Sequence, residues 1–182
     1  MNELMNIKIF QQNLVEWYRK CGRVLPWRET KDPYAIWVSE IMLQQTQVET
    51  VKPYFLRFIQ TLPDVQSLAD ASEDTAFKLW EGLGYYRRIR HMQEAAKDIV
   101  ENHNGIFPSR YEDIIKLKGI GNYTASAISS IAYGIEKGVI DGNTLRILSR
   151  VYNRQDNIAL EKTKKAYQTL MDELISGTDP SD

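Results

Sequence analysis

Three observations predict an all-α fold. Apolar residues recur at helical spacing along nearly the whole chain, no segment alternates apolar and polar as a half-buried strand would, and recognisable caps and breakers punctuate the runs. Ile7 to Lys20 places Ile9, Phe10, Leu14, Trp17 and Tyr18 at helical intervals. Asp32 caps the next run, Pro33 suits its first turn, and the helix is predicted to reach about Thr46. Thr50 to Gln60 forms a further helix, stopped by Leu62-Pro63. Ser72, followed by Glu73 and Asp74, starts a short helix ending at Gly82. Tyr86 to Asn102 is the clearest run, closed by Asn104-Gly105. Ser109 to Lys116 and Asn122 to Tyr133 make two arms of a hairpin, and Gly142 to Asn153 and Glu161 to Ile175 complete the set. The short apolar Gly138-Val139-Ile140 is assigned to a loop.

The 182 residues suit one domain or two small, closely packed ones, and 43% hydrophobic residues supply a core. No apolar run approaches membrane-spanning length, and the N-terminus lacks a signal-peptide layout, so a cytoplasmic location is expected. The single Cys21 excludes an intramolecular disulfide and any multi-thiolate metal site. A net charge of −1 does not supply the bulk positive field of many nucleic-acid binders. Any such binding has to rest on local features: Lys116, Lys118 and the run Arg87-Arg88-Ile89-Arg90-His91, which in isolation also fits a solvated helix face.

The most informative stretch is Leu117-Lys118-Gly119-Ile120-Gly121-Asn122-Tyr123. Its two glycines suit a tight positive-φ turn and a close backbone approach to a ligand. The helix that begins at Asn122 directs unbonded amides outward, a cradle for a phosphate. Twenty residues after Gly121 comes Asp141-Gly142-Asn143. Upstream lie Leu25-Pro26-Trp27-Arg28, Asp32-Pro33-Tyr34, Trp37 through Val48, and Leu79-Trp80-Glu81-Gly82-Leu83-Gly84-Tyr85-Tyr86. The hairpin with its downstream aspartate resembles the helix-hairpin-helix DNA glycosylase superfamily, which includes endonuclease III. The upstream runs narrow the resemblance, from about Asn13 to Tyr152, to adenine DNA glycosylases of the MutY type. That resemblance implies a six-helix barrel over residues 25–135 and a second, incomplete helical domain from 1–24 and 136–182, with the active site in the cleft between them. It implies monofunctional hydrolysis of the N-glycosidic bond of adenine mispaired with 8-oxoguanine or guanine. The partner it implies is double-stranded DNA, bound by a monomer in a bacterial-type, nucleoid-associated setting.

Glu40 lies in the almost wholly apolar Ala35 to Leu43. It is either an ordinary surface glutamate or a carboxyl whose charged form is disfavoured, which raises its pKa and lets it donate a proton near neutrality. The resemblance matches it to the general acid that protonates adenine and activates water. Asp141 suits a helix N-cap and equally a carboxylate that stabilises an oxocarbenium-like sugar; the resemblance assigns the second role, with Asn143 as polar companion. Tyr123 is either a buried core tyrosine or, by resemblance, the partner of the catalytic glutamate. It stands where endonuclease III-like enzymes have the lysine that forms a Schiff base. Gln45 and Tyr85 resemble residues that wedge into the duplex as the base leaves. By the same resemblance, Gln44 and Arg28 are expected to line the adenine pocket. Arg88, Lys116, Lys118, Gly119, Gly121 and Asn122 are expected to contact DNA, and Lys118 stands where the superfamily usually has proline. Trp80 and Leu83 are assigned to the core, and His91 and His103 show no ligand spacing.

The family carries four cysteines beyond this region for a 4Fe–4S cluster, then a domain that reads 8-oxoguanine. The sequence stops at Pro180-Ser181-Asp182 before either, so the resemblance implies a core cut short of both, with no cofactor buildable from its own residues. The N-terminal helix bearing Trp17 would pack against the missing segment, and hairpin carbonyls around Leu117 to Ile120 would hold a monovalent cation. Two alternatives stay open: an endonuclease III-like pyrimidine glycosylase with lyase activity, and an inactive DNA-binding core.

Overall fold

The computed structural model describes residues 6–178, and among them every regular element is helical. The outermost residues of the terminal segments expected to form the second domain, 1–5 and 179–182, lie outside the described residues. The chain divides into two compact units, Val24–Tyr133 and Met1–Arg23 with Gly134–Asp182.

The larger unit is built around α2 (Pro33–Leu43), which buries eight of its eleven residues. Asp32 caps it by accepting from the Tyr34 and Ala35 amides, and Pro33 occupies a first-turn position where no amide bond is lost. Around it lie α3 (Val48–Thr61), α4 (Val65–Asp70), α5 (Glu73–Trp80), α6 (Arg87–Asn102), α7 (Tyr111–Ile114) and α8 (Asn122–Tyr133). Helix α8 packs on α2, and its buried run is mostly small residues, Ala125, Ser126, Ala127, Ser129 and Ser130, which suits a close approach of the two backbones. Trp37, Phe58 and Trp80 fill the interior, and Trp37 meets Phe107 edge-on at 5.5 Å. Trp80 and Leu83 are core residues, as expected.

The larger unit departs from the sequence-based expectation most clearly at α2, α7 and α4. Helix α2 stops at Leu43 instead of Thr46, because Gln44 turns extended and Gln45 adopts a left-handed φ of 57°. Helix α7 is only Tyr111–Ile114, shorter than Ser109 to Lys116. Helix α4 was not expected at all; Asp64 and Ser67 form a reciprocal capping box that nucleates a helix too short to show a period.

The smaller unit holds α1 (Ile7–Cys21), α9 (Gly142–Val151) and α10 (Glu161–Ile175). Its core is Leu145, Leu148, Tyr167 and Leu174, with Phe10 and Ile140 packed against it. Helix α9 ends two residues before the expected Asn153, which takes a left-handed φ of 48°. Gly138 lies so close to Met171 that a Cβ would clash, while its amide donates to Asp172 and its carbonyl accepts from Gln168; these bonds hold the 138–140 segment as a loop. Helix α1 buries none of its residues, and Trp17 is 58% exposed.

Candidate active site and nucleic-acid interface

Glu40 is the only charged residue of α2. It sits one residue after buried Ser39 and before buried Ile41 and Met42, and is itself only partly exposed. Burial raises its pKa from the ordinary 4.5 to about 7, against the opposing pull of the Arg28 guanidinium. Arg28 belongs to the 3-10 turn Pro26–Arg28 that leads towards α2, so its charge reaches Glu40 although the side chain is exposed. The surface-glutamate alternative does not describe this carboxyl: at neutral pH it is divided between acid and carboxylate.

Two turns near the end of α2 are joined by one side chain. The guanidinium of Arg88, on the first turn of α6, donates through Nη1 to the carbonyls of Ile41 (2.8 Å), Met42 (3.2 Å) and Gln44 (2.6 Å). Through Nη2 it donates to Leu83 (3.2 Å) and Gly84 (3.3 Å). Arg88 was expected among the DNA contacts; the structure gives its terminal nitrogens a different occupation, closing unpaired carbonyls at a helix C-terminus and in the Gly82–Tyr85 turn. That turn runs through positive φ at Gly82, Gly84 and Tyr85 (49°). Glycine accepts this conformation freely, whereas Gln45 and Tyr85 hold it at a cost of about 1 kcal/mol or more each. Both side chains are exposed, Tyr85 by 62%.

A cavity of about 510 Å³ opens between these turns and the hairpin. Gln44, Gln45, Tyr85 and Arg88 line it together with Lys118 and Gly119, so six of the expected site residues converge on one concavity. Sequence reasoning missed His91, which also lines it. The His91 ring packs where a Gly119 Cβ would stand, 2.8 Å from its own Cβ, and its Nε2 accepts from the Arg87 Nε at 3.2 Å. The available signal was weak: His91 lies one turn after Arg87, a spacing that any helix face shares.

In the hairpin only Gly119 takes a positive φ, 78°. The expectation that both glycines serve the turn's conformation is therefore corrected: Gly121 is outside the left-handed region and open around its Cβ. Leu117 and Ile120 anchor the hairpin in the core, leaving Lys118, Gly119, Gly121 and Asn122 exposed. Lys116 is not among the residues that line the cavity, and it pairs with Asp113 at 3.0 Å. Tyr123 is 45% exposed, which excludes the core-tyrosine alternative.

In the smaller unit, Asp141 caps α9. Its Oδ1 accepts from the Thr144 amide at 2.7 Å and from the Thr144 hydroxyl, and its Oδ2 accepts from Asn143 Nδ2 at 3.1 Å. Burial pushes this carboxyl up, but the hydrogen bonds from Thr144 and Asn143 together outweigh burial and hold it below the ordinary aspartate range. A 4Fe–4S cluster does not fit the residues present, since it needs four ligands and the sequence has one cysteine, the exposed Cys21. Among the described residues no group of three or more His, Cys, Asp or Glu could hold a metal ion, and no helix is long and apolar enough to cross a membrane.

Residues 38–175 match the HhH-GPD superfamily of base excision DNA repair proteins, and the chain belongs to that superfamily. It is 47% identical over 150 residues to an adenine DNA glycosylase of Buchnera aphidicola subsp. Baizongia pistaciae, covering 82% of this chain and 43% of that protein. It is 45% identical over 159 residues to the adenine DNA glycosylase of Mus musculus, covering 82% of this chain and 31% of that one. The chain thus spans less than half the length of these curated relatives. Among solved structures it is similar to a thermostable thymine-DNA glycosylase, with a TM-score of 0.83 and 26% identity over 94% of this chain and 79% of that one. An endonuclease III trapped covalently on DNA superposes with a TM-score of 0.73 at 17% identity, over 96% of this chain and 85% of that one, a likeness of fold alone. The all-α, helix-hairpin-helix glycosylase fold expected from the sequence is the fold of this chain.

Proposed function

We propose that this chain is the catalytic core of an adenine DNA glycosylase, hydrolysing the bond between a mispaired adenine and its deoxyribose without cutting the strand. The observation that carries the reading is Glu40, a lone carboxyl in a buried helix with a pKa of about 7. Adenine leaves poorly as an anion. Protonation of its ring by the acid form of Glu40 lets the C1′–N bond break with the electron pair going to the base. The sugar is left as an oxocarbenium-like cation, which the Asp141 carboxylate stabilises, with Asn143 fixing that carboxylate's orientation. Water then adds to C1′ and gives up a proton to the Glu40 carboxylate, restoring the acid.

Gln45 and Tyr85 enter the duplex where the base departs, and Arg28 and Gln44 line the adenine pocket. The hairpin amides from Gly119 to Asn122, with Lys116 and Lys118, meet phosphates, and the hairpin carbonyls between Leu117 and Ile120 offer oxygen ligands to a monovalent cation. Tyr123, read as the partner of Glu40 during the reaction, has no amine and cannot form a Schiff base. The larger unit is read as the barrel domain and the smaller as the terminal domain. The protein works as a cytoplasmic, DNA-associated monomer. Single-turnover incubation with a duplex bearing adenine opposite 8-oxoguanine, followed by hot alkali, should reveal abasic sites with wild type. No abasic product, with duplex binding intact, would reduce the reading to a DNA-binding core.

A further inference from the structure

We propose that Arg88 is a positioning residue that couples Gln45 and Tyr85, holding both in the left-handed conformation that presents them to the duplex as one unit. The proposal rests on the reading of those two residues as the wedge. Five carbonyls from two separate segments converge on this one guanidinium, which itself lines the cavity. The carbonyl of Gln44 precedes Gln45 directly, and that of Gly84 precedes Tyr85 directly. Arg88 therefore grips the peptide that enters each left-handed residue. The guanidinium also lies over the rings of Trp80 (5.3 Å) and Tyr85 (5.5 Å), and Trp80 Nε1 donates to the same Gly84 carbonyl at 3.1 Å. Its own Nε has no hydrogen-bond partner among the described residues, so this donor does not explain its place; the grip is made by the two terminal nitrogens. A lysine would keep the charge, but its one ammonium cannot span two turns with three donors.

The test measures binding by fluorescence anisotropy over a salt series, and base extrusion by the fluorescence of 2-aminopurine opposite 8-oxoguanine, for wild type and Arg88→Lys. With circular dichroism unchanged, Arg88→Lys should bind undamaged duplex within about twofold of wild type and with the same salt slope, because no phosphate contact is lost. Its preference for the mispair should fall at least about tenfold, and the 2-aminopurine signal should fall with it, because the wedge no longer inserts as a unit. In a companion Arg88→Gln variant, which removes the charge, a salt slope reduced by about one with equal weakening on every duplex would make Arg88 a phosphate ligand and overturn the proposal. Unchanged preference and extrusion would overturn it equally. If Arg88→Lys does not fold, Trp80→Phe removes the second donor to the Gly84 carbonyl while keeping a ring beneath the guanidinium. It should reproduce the extrusion defect at about two- to threefold, and an unchanged signal overturns the proposal. A wild-type chain that shows neither mispair preference nor extrusion defeats the glycosylase reading itself, while the comparison of salt slopes still judges Arg88.

Discussion

Glu40→Gln should stabilise the protein at neutral pH while abolishing its proposed chemistry. A glutamate that titrates at about 7 instead of 4.5 holds its proton more tightly in the folded chain than in the unfolded one. Its contribution is therefore fully present below about pH 4.5, declines as the pH rises through the window from 4.5 to 7, and is lost above it. Ionising this carboxyl in place costs at most about 3 kcal/mol. Glutamine keeps the shape and carries no charge, so the variant should match wild type near pH 4.5 and exceed its stability by up to about 3 kcal/mol at pH 8. With a urea dependence of about 2 kcal/mol per molar, that is a midpoint difference of about 1.5 M. Trp27, Trp37 and Trp80 are buried in the same unit as Glu40 and report its unfolding by fluorescence. Taking the difference between wild type and variant at each pH cancels every group the two proteins share. A difference that stays flat between pH 5 and 8, or a variant less stable than wild type at pH 8, would refute the buried-acid argument.

Four further outcomes follow from the same geometry. Single-turnover excision should fall about tenfold per pH unit above pH 7 as Glu40 loses its proton, and Glu40→Gln should lower it at least about 100-fold with duplex affinity retained; a rate that climbs above pH 7 contradicts the acid role. Asp141→Asn keeps an oxygen for the Thr144 amide and so should change stability by less than about 1 kcal/mol, yet excision should drop by orders of magnitude, and near-normal excision would leave Asp141 a cap and nothing more. Gly119→Ala should destabilise the fold by about 1 kcal/mol or more because its φ of 78° and the His91 ring both oppose a side chain, whereas Gly121→Ala, with open space around it, should leave stability unchanged and weaken only DNA binding; equal thermal shifts for the two would contradict this asymmetry. Borohydride should trap no covalent adduct with DNA, since Tyr123 carries no amine, and efficient trapping would shift the assignment to a lyase.

The long helices were legible because their signals are local. Asn122–Tyr133 and Glu161–Ile175 begin and end where the sequence pattern places them. Glu40 was legible for the same reason, since its apolar neighbours in sequence are its apolar neighbours in space. The end of α2 was not. Gln44, Gln45 and Thr46 contain no glycine or proline, and the left-handed Gln45 follows a carbonyl held by a guanidinium from a distant helix. The grip of Arg88 on two turns was not legible either, because its partners are backbone carbonyls, which carry no residue identity for a sequence pattern to register. The contact of His91 with Gly119 is hidden likewise, since only the folded chain brings an unremarkable helical histidine to the hairpin.

The two carboxylates at the centre of the proposal stand in opposite electrostatic regimes, and for different reasons. Glu40 is surrounded by side chains that offer its anion little compensation, so burial dominates and the proton is retained towards neutrality. Asp141 also feels burial, but a helix start supplies an amide, a hydroxyl and a side-chain amide as donors, and the anion prevails. At pH 7 the chain therefore holds an available proton on one carboxyl and a fixed negative charge on the other. Departure of a purine from deoxyribose calls for both: a proton for the base and an anion for the sugar. Neither state depends on the protein's net charge, which is close to zero. On the proposed reading, that balance lets a slightly acidic chain meet a polyanionic partner. Its chemistry and its grip on DNA are both assigned to local arrangements, a desolvated acid, a capped carboxylate and a hairpin of exposed amides, with no need of a long-range attractive field.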